Sequence, residues 1–159
     1  MDQRHEIQIR KEGYTVVNNI IEKDYLDIIF NEINNKYIKN KSFKKGLLVG
    51  DKRYMLNIEL NLNNIDERIF ASKELINLIQ NILGKRIIIE SFGVVFSLPG
   101  AKKQQLHRDG DILFDEFSVK GNASISGLIP PYALTVGIPL IDMNEETGTT
   151  QIQSKSHRY

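Results

Sequence analysis

The chain contains no cysteine, which removes disulfides, thiolate zinc sites and cysteine nucleophiles together. Charge of one sign is also missing. With 21 basic and 20 acidic residues the formal net charge is +1, so there is no general electrostatic footprint for nucleic acid or an anionic membrane. Lys39, Lys41, Lys44 and Lys45 form one local basic cluster, read as a solvated loop. No run approaches the ~18 consecutive apolar residues of a membrane span, and Met1-Asp2-Gln3-Arg4-His5-Glu6 lacks the apolar stretch of a signal peptide. These absences point to a cytoplasmic protein without nucleic-acid or membrane partners. Histidine is scarce as well, with three in all, which keeps the candidates for metal ligation few. What is present is ordinary: 159 residues, 41% hydrophobic and 26% charged, suit one globular domain over 1–159 with a buried core.

Hydrophobic periodicity divides the chain into elements. Tyr14 to Val17, after Glu12-Gly13, is a short β-branched and aromatic run that reads as a strand. Leu26, Ile29, Phe30, Ile33 and Tyr37 recur at helical spacing, so a helix is predicted over about Glu22–Tyr37, with Asp24 near its positive end. Ile38 to Gly50 reads as loop and Arg53 to Ile58 as a strand. A second helix has Ser72 as a candidate N-cap, Leu75, Ile79 and Ile82 on one face, and Gly84 at the C′ position. Within Arg86–Leu98, Phe92, Val94, Phe96 and Leu98 alternate with smaller residues, a half-buried strand that Pro99-Gly100 stops. A further strand carries His107. Gly110 to Pro131 reads as a long loop suited to an active-site lid. Leu134, Val136, Ile138 and Leu140 alternate again, Asp142 to Gly148 is an acidic turn, and Thr149 to Gln153 another short strand. Helices followed by many short strands imply an α+β fold with a β-sandwich or jelly-roll core.

The chemistry centres on Gln105-Leu106-His107-Arg108-Asp109-Gly110. In an extended segment residues i and i+2 share a face, so His107 and Asp109 present an imidazole and a carboxylate side by side, with Arg108 turned away. That is two corners of a metal site. His5 lies in a polar N-terminal segment, which leaves His157 as the natural third ligand. Two histidines and one carboxylate with open positions form the facial triad of non-haem Fe(II) oxygenases.

The ordered set Gly13-Tyr14-Thr15-Val16-Val17, His107-Arg108-Asp109-Gly110, Pro130-Pro131-Tyr132-Ala133-Leu134, Pro139-Leu140-Ile141-Asp142, Glu146-Thr147-Gly148-Thr149-Thr150 and Ser156-His157-Arg158 resembles the phytanoyl-CoA dioxygenase-like Fe(II)/2-oxoglutarate oxygenases. The order of blocks matches over nearly the whole chain, although Ser154-Lys155 stands where the family usually has Pro-Gly. The resemblance implies a double-stranded β-helix, jelly-roll or cupin-like, with N-terminal helices packed on it. It implies Fe(II) held by His107, Asp109 and His157, with 2-oxoglutarate and O₂ as co-substrates and hydroxylation of a small molecule as the outcome. The carboxylate at Asp109 favours hydroxylation, since related halogenases carry a small residue there. The family places its last strand, with the arginine that clamps 2-oxoglutarate, beyond the second histidine. The expectation is therefore a C-terminally incomplete core, little turnover by this chain, and an unpaired sheet edge open to self-association. Lys52 and Arg53 are the basic residues considered for the clamp, which stays unassigned.

Other readings of the same residues stand beside this one. His107 and Asp109 could form a surface ion pair, and His157 could be a solvent-exposed terminal histidine. A zinc hydrolase could use the same His/Asp/His set with a metal-bound water, and a non-catalytic jelly roll could simply bind a small molecule. Glu145 and Glu146, adjacent on a turn, diverge and are not an acid/base pair. Asn122-Ala123-Ser124 matches a glycosylation sequon by chance.

Overall fold

The computed structural model describes residues 3–58, 66–110 and 130–158. The chain falls into two units, one of Met1–Asn18, Lys73–Ile87 and Leu106–Tyr159, the other of Asn19–Ser72 and Ile88–Gln105.

In the second unit, helix α2 (Lys23–Ile33) buries Tyr25, Ile29 and Ile33, a four-residue spacing that stacks them on one face. Asp24 sits in its first turn. The chain continues as a π-helical turn over Asn34–Ile38, then a 3₁₀ turn, Ser42–Lys45, that buries Phe43 and leaves its lysines outside. The stretch expected to be loop therefore holds this turn and a short strand, β1 (Leu47–Leu48). Strand β2 (Arg53–Asn57) lies where expected, and β3 (Gly93–Ser97) occupies the latter part of the Arg86–Leu98 segment. They form an antiparallel sheet in the order β1-β2-β3, with Leu47 opposite Met55 and Tyr54 opposite Phe96. Along β3, Phe96 is buried and Val94 half-buried while Gly93, Val95 and Ser97 are exposed, as the alternation predicts. Gly93 is required by a close approach, because a Cβ there would come 2.7 Å from the Leu56 carbonyl oxygen.

Aromatic rings join the sheet to the turns. Phe43 meets Tyr54 edge-on with centroids 5.2 Å apart, and Phe96 lies 6.0 Å from Phe43 and 6.4 Å from Tyr37. Such pairs add to the burial of apolar area.

A polar cluster anchors helix α3 (Glu67–Phe70). Asp66 is its N-cap, accepting from the Arg68 backbone N–H at 2.9 Å. The Arg68 guanidinium grips the same carboxylate through Nε and Nη2 and lies over the Tyr25 ring, 3.8 Å from its centroid. Tyr25 completes the cluster by donating its hydroxyl to Asp66 Oδ1 at 3.0 Å. The guanidinium bonds, then the backbone N–H, hold the Asp66 carboxyl well below the usual carboxylate range. A depressed folded-state value stabilises the fold above the unfolded carboxylate value near ~3.9, and that contribution is lost as pH falls through the folded-state value. Chemical denaturation at pH 7 and in steps below pH 4 is expected to show a stability loss whose slope is shallower in Asp66→Asn. An identical pH slope in the variant would contradict this assignment.

The first unit contains helix α1 (Gln3–Glu12), in a segment read from sequence only as polar. It buries no residue, so no apolar stripe marks it. Its signals are the Glu6–Arg10 pair at (i, i+4), 3.1 Å apart, and Gly13 at its end, where φ is +88°. Helix α4 (Lys73–Leu83) lies where expected and buries Leu75 and Ile82, with Leu78 buried and the expected Ile79 only half-buried, and Gly84 at φ +96° follows its last turn. Arg10 Nη2 donates to the Asn81 carbonyl at 2.8 Å, tying α1 to the last turn of α4.

Four strands expected in this unit carry no ladder among the described residues: Tyr14–Val17, the segment of His107, Leu134–Leu140 and Thr149–Gln153. Alternation reports which side chains share a face, whereas a strand also needs a neighbour for its N–H and C=O groups. The Thr15 side chain is tied to α1, its hydroxyl donating to Gln8 Oε1 at 2.7 Å and accepting from His5 Nδ1 at 2.8 Å. The paired strands among the described residues are thus the three of one sheet, which with the helices makes α+β content. The lid loop and the sequon fall largely within 111–129, outside the described residues.

Candidate functional site

His107 and Asp109 do stand side by side. His107 Nε2 lies 3.8 Å from Asp109 Oδ1, and both side chains are more than half exposed. That separation exceeds hydrogen-bond length. It is short enough for one divalent ion to touch both, since imidazole and carboxylate bonds to such an ion run about 2.0–2.2 Å. The pair therefore fits two positions of a metal site.

His157 is placed differently. It sits in a 3₁₀ turn, Ser156–Arg158. Its ring rests on the C-terminal end of α1, where Nε2 meets the Arg10 carbonyl oxygen at 3.3 Å. A Cβ on Gly13 would come 2.5 Å from His157 Nδ1 and 3.0 Å from its Cγ, so a glycine is what admits the ring. Just before it, Lys155 N–H donates to the Glu12 carbonyl at 2.7 Å and the Ser154 hydroxyl bonds the Glu12 carboxylate. Among the described residues, no group of three or more histidine, aspartate or glutamate side chains lies together in a way that could hold a metal ion. The structure brings together the first two ligands expected from sequence and places the third on α1.

The acidic turn is built on Asn144, whose side-chain oxygen accepts from the N–H groups of Glu146 at 2.9 Å and Thr147 at 3.0 Å. Thr147 Oγ donates to the Asp142 carbonyl at 2.6 Å, which makes the turn a self-contained local structure. Of the basic residues weighed for a co-substrate clamp, Arg53 is engaged on the sheet, its Nε donating to Ser97 Oγ at 3.0 Å. Sequence reasoning missed the seat formed by Arg10, Glu12 and Gly13. The (i, i+4) charge pair and the following glycine were the available signals.

No described helix is long and apolar enough to cross a membrane. In comparisons with known proteins, no family model, no curated protein and no solved structure matches the chain.

Proposed function

We propose that this chain is a non-haem Fe(II)/2-oxoglutarate-dependent dioxygenase acting on a small molecule in the cytoplasm, with the double-stranded β-helix as its parent fold. The observation that carries this reading is the 3.8 Å approach of His107 to Asp109, in a chain whose other blocks stand in the order of that family. His107 supplies a neutral nitrogen lone pair and Asp109 a negative oxygen, a donor set suited to a hard to borderline divalent ion. His157 would be the remaining protein ligand. The oxidising chemistry would come from iron with 2-oxoglutarate and O₂, the co-substrate leaving as succinate and CO₂. Exposure of the pair leaves it within reach of co-substrate from solution. The test is succinate formation under saturating Fe(II), 2-oxoglutarate and O₂, with and without candidate substrates. The expected result is a low, iron-dependent release of succinate that disappears in Asp109→Ala. Activity that zinc supports and iron does not would favour the hydrolase instead.

A further inference from the structure

We propose that the turns between α2 and β1, with β1 itself, form a docking site for an anionic lipid bilayer, the lysines meeting headgroups and Leu47–Leu48 the apolar boundary. This site stands apart from the His107/Asp109 pair and needs no metal.

Between Glu32 and Asp51 the chain carries no acidic residue and five lysines, Lys36, Lys39, Lys41, Lys44 and Lys45. A net charge near zero leaves such a local field intact, because salt confines the interactions of exposed charges to about 8–10 Å. All five lysines are exposed, and none is in an ion pair among the described residues. Lys36 lies over the Tyr37 ring, 5.4 Å from its centroid. The cluster is held in shape from beneath. Lys41 takes φ +55° at the start of the 3₁₀ turn, Lys44 N–H donates to the Lys41 carbonyl at 3.2 Å, and the buried Phe43 packs on Tyr54 and Phe96. Like charges gathered on one ordered turn repel one another, and an anionic partner relieves that repulsion.

Leu47 and Leu48 follow directly and are 68% and 60% exposed. Successive side chains of a strand point to opposite faces, so neither face of β1 is covered. β1 lies at the edge of the sheet, but two residues are too short an edge to template an added peptide strand. The rings of this region, Tyr37, Phe43 and Tyr54, are engaged with one another and with Phe96, not set out as a platform on which nucleic-acid bases stack. Lysines beside bare aliphatic side chains match a bilayer interface, where cations meet anionic headgroups and apolar groups enter the acyl boundary. Each lysine at such a surface strengthens binding about fivefold, and the two leucines together about tenfold.

Co-sedimentation of the full chain with lipid vesicles tests this. The chain is expected to pellet with vesicles of equimolar phosphatidylcholine and phosphatidylserine, to stay in solution with phosphatidylcholine alone, and to dissociate as sodium chloride is raised. Lys41→Gln/Lys44→Gln should weaken binding about 25-fold and flatten its salt dependence. Leu47→Ser/Leu48→Ser should weaken it about tenfold at every salt concentration. Lys85→Gln/Arg86→Gln removes as much charge outside the cluster and should change nothing. Every substituted side chain is exposed, and circular dichroism checks that each variant folds. Should the lysine variant not fold, the lipid and salt dependence of the unaltered chain still decides. Absence of pelleting with the phosphatidylserine vesicles overturns the proposal, as do equal pelleting with phosphatidylcholine alone and equal losses in the cluster and control variants. Binding of polyuridylate or polyglutamate through these lysines, with none to vesicles, overturns the choice of a membrane.

Discussion

Replacing Phe96 with alanine is expected to cost about 3–5 kcal/mol of folding stability, the range for deleting a large buried aromatic. Phe96 is 7% exposed and its ring meets those of Tyr37 and Phe43. The deletion therefore removes apolar contacts from α2's extension, the 3₁₀ turn and the central strand at once, and leaves a cavity that these elements close only in part. Against a total stability of about 5–15 kcal/mol for a typical domain, that loss would leave much of the protein unfolded in mild urea. The neighbouring residue supplies the control. Val95 is 55% exposed on the opposite face of β3, and Val95→Ala should cost no more than about 1 kcal/mol, mostly β-propensity. Urea unfolding followed by circular dichroism gives both values. A larger loss in Val95→Ala than in Phe96→Ala would mean that β3 presents the other face, as a one-residue register slip requires.

The second large effect is on metal binding. His107→Ala and Asp109→Ala should each weaken Fe(II) binding more than about a hundredfold, because loss of a direct ligand exceeds the 10–100-fold typical of its supporting partners. Arg108→Ala should leave the affinity unchanged, since the pair is formed by the residues on either side of it. Anaerobic calorimetry of the three variants separates a metal site from a surface ion pair. An ion pair between exposed groups is worth about 0–1 kcal/mol, and its loss would change neither iron affinity nor much else. If His107→Ala binds iron as the parent does, the pair is only that.

What the sequence determined by itself was local. The stripe of α2, the buried face of α4 with its terminal glycine, and the alternation around Phe96 are all written in neighbouring residues, because burial repeats with the period of the backbone. The side-by-side placement of His107 and Asp109 belongs to the same class, since two residues i and i+2 need only an extended backbone to meet. Three things were decided by tertiary structure alone. The first is pairing: Leu134–Leu140 alternates much as Phe92–Leu98 does, but among the described residues only the latter region has a neighbouring strand to take its hydrogen bonds. The second is α1, whose exposed surface bears no stripe and whose end matters for the carbonyls it offers. The third is the seat of His157. It depends on Gly13, more than 140 residues away, lacking a side chain at the one spot where the ring lies, and no local pattern encodes a contact between two points so far apart along the chain.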